Sequence, residues 1–141
     1  MKTETLTRLL QFAGVLHLGL IAAGLLMPRA VDLKRHLATL PPFPRQLFWT
    51  YYGFIALCLL GFGGLTVILA PQLAQGGSVS ASLCLFLAIF WTFRLVAATF
   101  ILDVTPYLKS RWHHIGYQCT NIVFIFLPLI YLLAAWKGFS K

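Results

Sequence analysis

Four long runs of apolar residues alternate with short polar segments along this chain. The predicted spans cover residues 9–27, 46–70, 79–102 and 108–136, and the fourth begins with a basic segment before its apolar section 115–136. At about 1.5 Å per residue, each is long enough to cross the roughly 30 Å apolar core of a bilayer. The pattern predicts an all-α integral membrane protein, in which four transmembrane helices form one antiparallel bundle and a single domain over residues 1–141.

The basic connector 28–45 joins the first two runs and carries its own pattern. Its apolar residues repeat at helical spacing with polar residues between them; they are Ala30, Leu33, Leu37 and Leu40. This pattern predicts a short amphipathic helix lying in the membrane interface. The prolines at positions 41, 42 and 44 follow, and we expect them to end that helix and give an extended lead into the second span.

Two further patterns concern where helices begin. The first run follows a basic start, which is also typical of a signal peptide, but it is about 19 residues long and no small-x-small cleavage site precedes Pro28. We therefore expect a retained helix. Thr105-Pro106 has the residue types of an N-cap followed by a first helical residue, so we expect the fourth helix to begin near Pro106.

Composition supports the membrane class. The chain is 60% hydrophobic and 10% charged, whereas soluble domains contain about 25% charged residues. The net charge of +8 would suggest nucleic acid in a soluble protein. Here the basic residues flank the apolar runs, which indicates contact with lipid headgroups or a partner protein and no nucleic acid. The candidates for that contact are Arg29, Lys34, Arg35, Arg45, Lys109 and Arg111.

The distribution of charge also predicts an orientation. We call the side of both termini and the 71–78 loop side A, and the side of the other two connectors side B. Side B carries six lysines and arginines and side A carries four, so the positive-inside rule favours a cytoplasmic side B and termini on the non-cytoplasmic side. Because many small four-helix membrane proteins are bacterial, we expect the bacterial inner membrane.

Arg94 is the residue that points to a binding site. It lies eight residues before Leu102, about 12 Å from side B, and an arginine at this depth is costly without a partner. His17 lies ten residues before Met27, at about 15 Å from the same side. No Asp or Glu lies in any apolar run. We therefore expect a polar cavity that opens to side B, with Arg94 as its fixed charge.

The candidate ligand-binding residues are Arg94, His17, Asn121, Gln118, Tyr51 and Trp91. Two alternatives stay open. Arg94 could extend along its own stem to the side B headgroups, and His17 could be a neutral histidine bonded to a neighbouring helix.

The sequence contains no acid pair, nucleophile–base pair, phosphate-binding loop or metal-ligand spacing. The three cysteines are scattered without a CxxC pattern, which is typical of packing residues. Haem b would need a second axial ligand facing His17 at matching depth. His113 and His114 lie at the headgroup level and His36 lies in the connector. We expect no catalytic residues, no metal and no cofactor other than a bound lipid or quinone, and we leave enzymatic activity open.

Two functions remain. The first is a non-catalytic accessory or assembly subunit of a larger membrane complex, in contact with other subunits or with a second copy of itself. The alternative is a binder of an anionic lipid or quinone-like amphiphile in a pocket around Arg94 and His17.

Overall fold

The computed structural model describes residues 2–108 and 110–140, and within them every regular element is helical. The helices are α1 (Thr3–Ala30), α2 (Leu33–Ala38), α3 (Pro42–Gln75), α4 (Ser78–Phe100) and α5 (Arg111–Phe139), with a 3₁₀ turn at Thr105–Tyr107. Four of them, α1, α3, α4 and α5, are long and apolar enough to cross a membrane. The all-helical class and the four membrane-length helices are thereby confirmed.

The start of α3 differs from the expected extended lead. The helix begins at Pro42, with Pro44 also inside its first turn and Pro41 extended as the N-cap. Proline fits this position because the first amide groups of a helix have no partner inside it, so its missing N–H loses nothing. The predicted extended segment was therefore wrong at residues 42–44, which are helical.

The start of α5 also differs from expectation. Thr105 and Pro106 form only the 3₁₀ turn, and the Thr105 amide donates to Asp103 Oδ1 at 3.0 Å. The helix begins at Arg111, because Ser110 is its N-cap and accepts a hydrogen bond from the Trp112 amide. The predicted start near Pro106 was wrong, and Lys109 lies outside the described residues.

Helices α1 and α3, called here the first pair, approach closely through glycines. A Cβ atom added to Gly14 would lie 2.9 Å from the Gly63 carbonyl oxygen, and one added to Gly63 would lie 2.7 Å from His17 Cβ. Nearer side B, the Tyr52 hydroxyl donates to the Gly24 carbonyl. Small residues thus allow close helix packing without the hydrophobic effect, which is absent in lipid.

Helices α4 and α5 form the second pair. A Cβ added to Gly138 would lie 2.8 Å from Ala81 Cβ. The turn between α3 and α4 is built on Gly76 and Gly77, whose φ angles of 89° and 112° favour glycine. Each pair is therefore held by extensive contact along its helices, and the two pairs join at fewer points.

The contacts between the two pairs lie in the side A half or near the middle of the helices. Phe12 packs against Phe126, and the Thr66 and Tyr131 hydroxyls lie 2.8 Å apart. At the side A end, the Lys137 ammonium donates to Thr3 Oγ1 at 3.0 Å and to the Ala74 carbonyl at 3.3 Å. These contacts close the side A end.

Burial follows the same division. The buried residues of α1 lie between Leu6 and Leu20, those of α3 between Gly63 and Ala74, and those of α5 between Phe124 and Gly138. Among the described residues, none is buried in segments 21–30, 42–62 or 111–123. Helices α1, α3 and α5 are thus packed tightly towards side A and loosely towards side B, whereas burial in α4 extends to Ala98.

Candidate functional site

Arg94 lies half-buried in α4, and its guanidinium contacts α5. Its Cζ atom is 4.7 Å from the centroid of the Phe124 ring, a cation–π contact. Within residues 2–108 and 110–140, Arg94 has no hydrogen bond and no ion pair. The guanidinium therefore retains N–H donors for another acceptor.

The side chain of Arg94 does not run outward to the side B connectors. The Phe124 ring that it contacts also stacks on the Trp91 ring, with 5.8 Å between the ring centroids. Trp91 lies one helical turn before Arg94, nearer to side A. Helical side chains lean towards the N-terminus of their helix, which for α4 is on side A. The guanidinium thus lies at the level of Phe124 and Trp91.

Trp91 is held in turn by His17 of α1. The indole N–H donates to His17 Nε2 at 3.1 Å, and His17 Nδ1 lies 2.7 Å from the Ala13 carbonyl oxygen. An indole only donates and a carbonyl only accepts, so His17 is neutral with its hydrogen on Nδ1. Both ring nitrogens are engaged, which leaves none to bind a ligand or a haem iron.

These contacts form one continuous series across three helices. It runs from Ala13 and His17 in α1 through Trp91 in α4 to Phe124 in α5, and ends at Arg94. His17 and Trp91 are 0% and 1% exposed, so the inner part of the series is solid packing. We call it the Arg94 series. It joins the two pairs and positions the guanidinium at the side B limit of the tightly packed half.

The remaining predicted ligand-binding residues lie less centrally. Asn121 is half-buried, one turn before Phe124 on α5, and makes no hydrogen bond to another described residue. Gln118 is exposed, and Tyr51 is 59% exposed. Arg94, Trp91 and His17 are therefore brought together, Asn121 lies on an adjacent turn, and Gln118 and Tyr51 face outward.

The predicted headgroup or partner contacts lie at the side B end. Each of those that the structure describes is exposed and, among the described residues, forms no ion pair; they are Arg29, Lys34, Arg35, Arg45 and Arg111. The connectors that carry them meet where the ring of His36 packs edge-on against Tyr107, with 6.2 Å between centroids.

Two further features lie beside the Arg94 series. A cavity of about 340 Å³ opens between the end of α4 and α5; residues 98–105, Leu108 and Tyr117 line it. An apolar groove of about 270 Å³ runs between α4 and α5 past Pro128. Arg94 lines neither of them.

Sequence reasoning missed three polar residues that hold the helices together. Tyr52, next to the predicted Tyr51, bonds to α1, and Thr66 pairs with Tyr131. Tyr131 lies seven residues after Phe124, which places both on one face of α5. That seven-residue spacing could have identified Tyr131 from the sequence as a residue facing the interior of the bundle. No group of three or more His, Cys, Asp or Glu able to hold a metal occurs in the described part of the chain.

Comparison of this chain with protein-family models, curated proteins and solved structures gives no match.

Proposed function

We propose that this protein binds an amphiphile with an anionic or carbonyl-bearing headgroup, such as a lipid or a quinone, at Arg94. One observation carries the proposal: Arg94 is always charged, lies inside a membrane-length helix, and has no acid or acceptor among the described residues. An arginine at the centre of a membrane helix costs about 3 kcal/mol on insertion scales, and Arg94, six residues before the end of α4, bears part of that cost. A ligand acceptor at the guanidinium would offset this cost.

The surroundings of Arg94 support a site open to the bilayer. Phe124, Trp91 and His17 restrain the guanidinium from the side A direction. Between this level and the connectors, the described residues make no hydrogen bond or ring contact from one pair to the other. An amphiphile could thus enter sideways from lipid, with Asn121 as a second polar contact.

The proposed setting is an antiparallel four-helix bundle in a bacterial inner membrane, with side B facing the cytoplasm and the termini on the other side. The order of contacts supports the antiparallel arrangement, because Gly24 meets Tyr52 while Gly14 meets Gly63. In this setting α2 lies in the side B interface, where its exposed Lys34 and Arg35 would contact headgroups.

Extraction and mass spectrometry of the molecules bound to the purified protein would test the proposal. We expect Arg94→Leu to reduce the bound amphiphile by about tenfold or more, because a charge-assisted hydrogen bond is lost. Arg8→Leu is the matched control, since Arg8 is exposed near the start of α1 and belongs to neither predicted contact set, and it should retain the wild-type content. Equal content in wild type and Arg94→Leu would refute the proposal.

A second candidate is an accessory or assembly subunit of a membrane complex, or a homo-oligomer. The outer surface of α3 supports it, because a Cβ added to Gly53, Gly61 or Gly64 would meet nothing within 4 Å. Another helix could approach closely there. Gly61→Ile should release a partner that Gly19→Ile, an equally open glycine on α1, retains. A stable wild-type monomer without co-purifying proteins in mild detergent would count against this role.

A further inference from the structure

We infer that the amphiphile held at Arg94 is a single-chain carboxylate, resembling a fatty acid, rather than a phospholipid or a quinone. This inference rests on the proposed function and names the chemical class of its ligand. It follows from the charge, the depth and the free donors of Arg94.

The charge of the site selects a monoanion. In the four membrane-length helices, the described residues place no acid against Arg94, so one positive charge is uncompensated. A bound carboxylate brings the net charge of the site to zero. A quinone carbonyl accepts a hydrogen bond but leaves the charge in place, and a dianionic phosphomonoester reverses it. The phosphodiester of a diacyl phospholipid is itself a monoanion, so charge does not separate it from a carboxylate and the depth of the site must do so. Uncompensated charge of either sign is unfavourable in an apolar medium.

The depth of the site selects a small headgroup. Arg94 lies six residues before the last residue of α4, which corresponds to about 9 Å of helix. Its guanidinium lies at the level of Trp91 and Phe124 rather than nearer the connectors. Phospholipid phosphates lie in the polar layer outside the apolar core. A phosphate at Arg94 would bring its glycerol and headgroup into that core, whereas a terminal carboxylate brings three atoms.

The free donors of the site match a carboxylate. The contact of the guanidinium with the Phe124 ring uses no conventional acceptor, so its forked N–H donors stay available. A carboxylate accepts two parallel hydrogen bonds from such a fork. His17 cannot add a donor, because its one N–H is bonded to Ala13. Arg94 therefore dominates recognition, and Asn121, one turn before Phe124 on α5, is the additional polar side chain of the proposed site.

A binding assay on the full chain in lipid nanodiscs would test the inference with four probes: oleate, methyl oleate, an oleoyl lysophosphatidate and a short-chain ubiquinone. We expect oleate to bind, and methyl oleate, which has the same chain without the charge, to bind at least about tenfold more weakly. This comparison needs no variant. The other two probes should also bind at least about tenfold more weakly than oleate.

Two variants then locate the binding. Arg94→Leu should weaken oleate at least about tenfold, and Arg94→Lys should give an intermediate affinity, because lysine keeps the charge without the fork. Arg8→Leu, at an exposed arginine of α1 outside the predicted contact sets, should bind oleate as the wild type does. Equal binding of oleate and methyl oleate, or oleate binding that Arg94→Leu does not change, would overturn the inference.

The outcomes separate this inference from the proposed function. If the lysophosphatidate or the quinone binds through Arg94 more tightly than oleate, the carboxylate assignment is overturned and amphiphile binding at Arg94 stands. If no probe distinguishes wild type from Arg94→Leu and the extraction experiment finds equal content, both are overturned.

Discussion

The two halves of the membrane-length helices differ in how closely they pack. In the side A half, glycine and alanine lie at the points of contact, as in the Gly14–Gly63 and Ala81–Gly138 approaches. In the side B half, no described residue of segments 21–30, 42–62 or 111–123 is buried. In a membrane, apolar character alone does not bring helices together; small residues at facing positions do.

The two halves also differ in whether their polar side chains have hydrogen-bond partners inside the protein. Towards side A, His17, Thr66 and Tyr131 are bonded inside the protein. Arg94, at the boundary, and Asn121, beyond it, have no hydrogen-bond partner among the described residues. Polar groups that are paired internally hold the helices in place, whereas unpaired ones are available to a ligand. Four predictions test this division.

The largest difference in stability between the two halves is expected when a tryptophan of each half is replaced by alanine. Trp91 is 1% exposed in the tight half, whereas Trp112 is 80% exposed on side B. Trp91→Ala should lower the free energy of unfolding by about 3–5 kcal/mol, because it leaves a cavity and removes the bond to His17. Trp112→Ala should cost less than about 0.5 kcal/mol. Unfolding titrations in detergent micelles would measure both, and similar losses would contradict the division.

Replacing either of two glycines of α3 by alanine should give a smaller difference in stability. Gly63→Ala should destabilise the protein by about 1–3 kcal/mol, because the new Cβ would lie 2.7 Å from His17 Cβ and force α1 and α3 apart. Gly61→Ala, two residues away with nothing within 4 Å, should change stability by less than about 0.5 kcal/mol. Thermal unfolding of the two variants would compare them. A harmless Gly63→Ala would show that the close approach is not needed.

Removing one hydroxyl should have a smaller effect still. Tyr131→Phe deletes the partner of Thr66 and should cost about 0.6 kcal/mol, the average for hydrogen bonds between membrane helices. Tyr51→Phe, on the exposed surface, should cost nothing measurable. A double-mutant cycle with Thr66→Val isolates the pair. Strictly additive losses would mean that the two hydroxyls do not interact.

The smallest effect concerns the side B connector after α4. Hydrogen bonds from the Thr105 hydroxyl and amide hold the pKa of the Asp103 carboxyl below its ordinary value. The stabilisation that Asp103 gives is therefore present at neutral pH and is lost as pH falls through that lowered pKa. Thr105→Val should raise the pKa towards its ordinary value, as followed by NMR titration of Asp103.

The control for this measurement is Thr99→Val, because the Thr99 hydroxyl bonds to the Leu95 carbonyl and not to Asp103. It should leave the Asp103 titration unchanged. A Thr105→Val variant with the wild-type midpoint would exclude the hydroxyl as the cause of the shift.

The number and type of the helices could be predicted from the sequence because a long apolar run has few alternatives to a membrane helix. Their bounds could not. The α1 helix extends to Thr3 and Ala30, beyond the apolar run 9–27, since helical hydrogen bonding does not depend on apolar side chains. At α5, the choice between Thr105 and Ser110 as N-cap depended on a local turn at Asp103 that hydropathy does not report.

The candidate site was partly predictable. Trp91 and Arg94 are three residues apart, so their common face follows from helical geometry. The contacts to His17 and Phe124 depend on how α1 and α5 align with α4, and depth in the membrane alone does not specify this alignment. Adjacent residues differ by about 100° around a helix, which is why Tyr51 is exposed while its neighbour Tyr52 reaches Gly24.

The bond between Trp91 and His17 has a consequence for how the protein is made. The two residues are 74 positions apart, so at about 5–20 residues per second Trp91 is synthesised roughly 4 to 15 s after His17. Until then, Nε2 of His17 is an acceptor without its final donor, while the Ala13 bond within α1 already orients the ring. Helices α1 and α3 are therefore synthesised before the hydrogen bond from Trp91 to His17 can form, and it forms only after α4 has been synthesised.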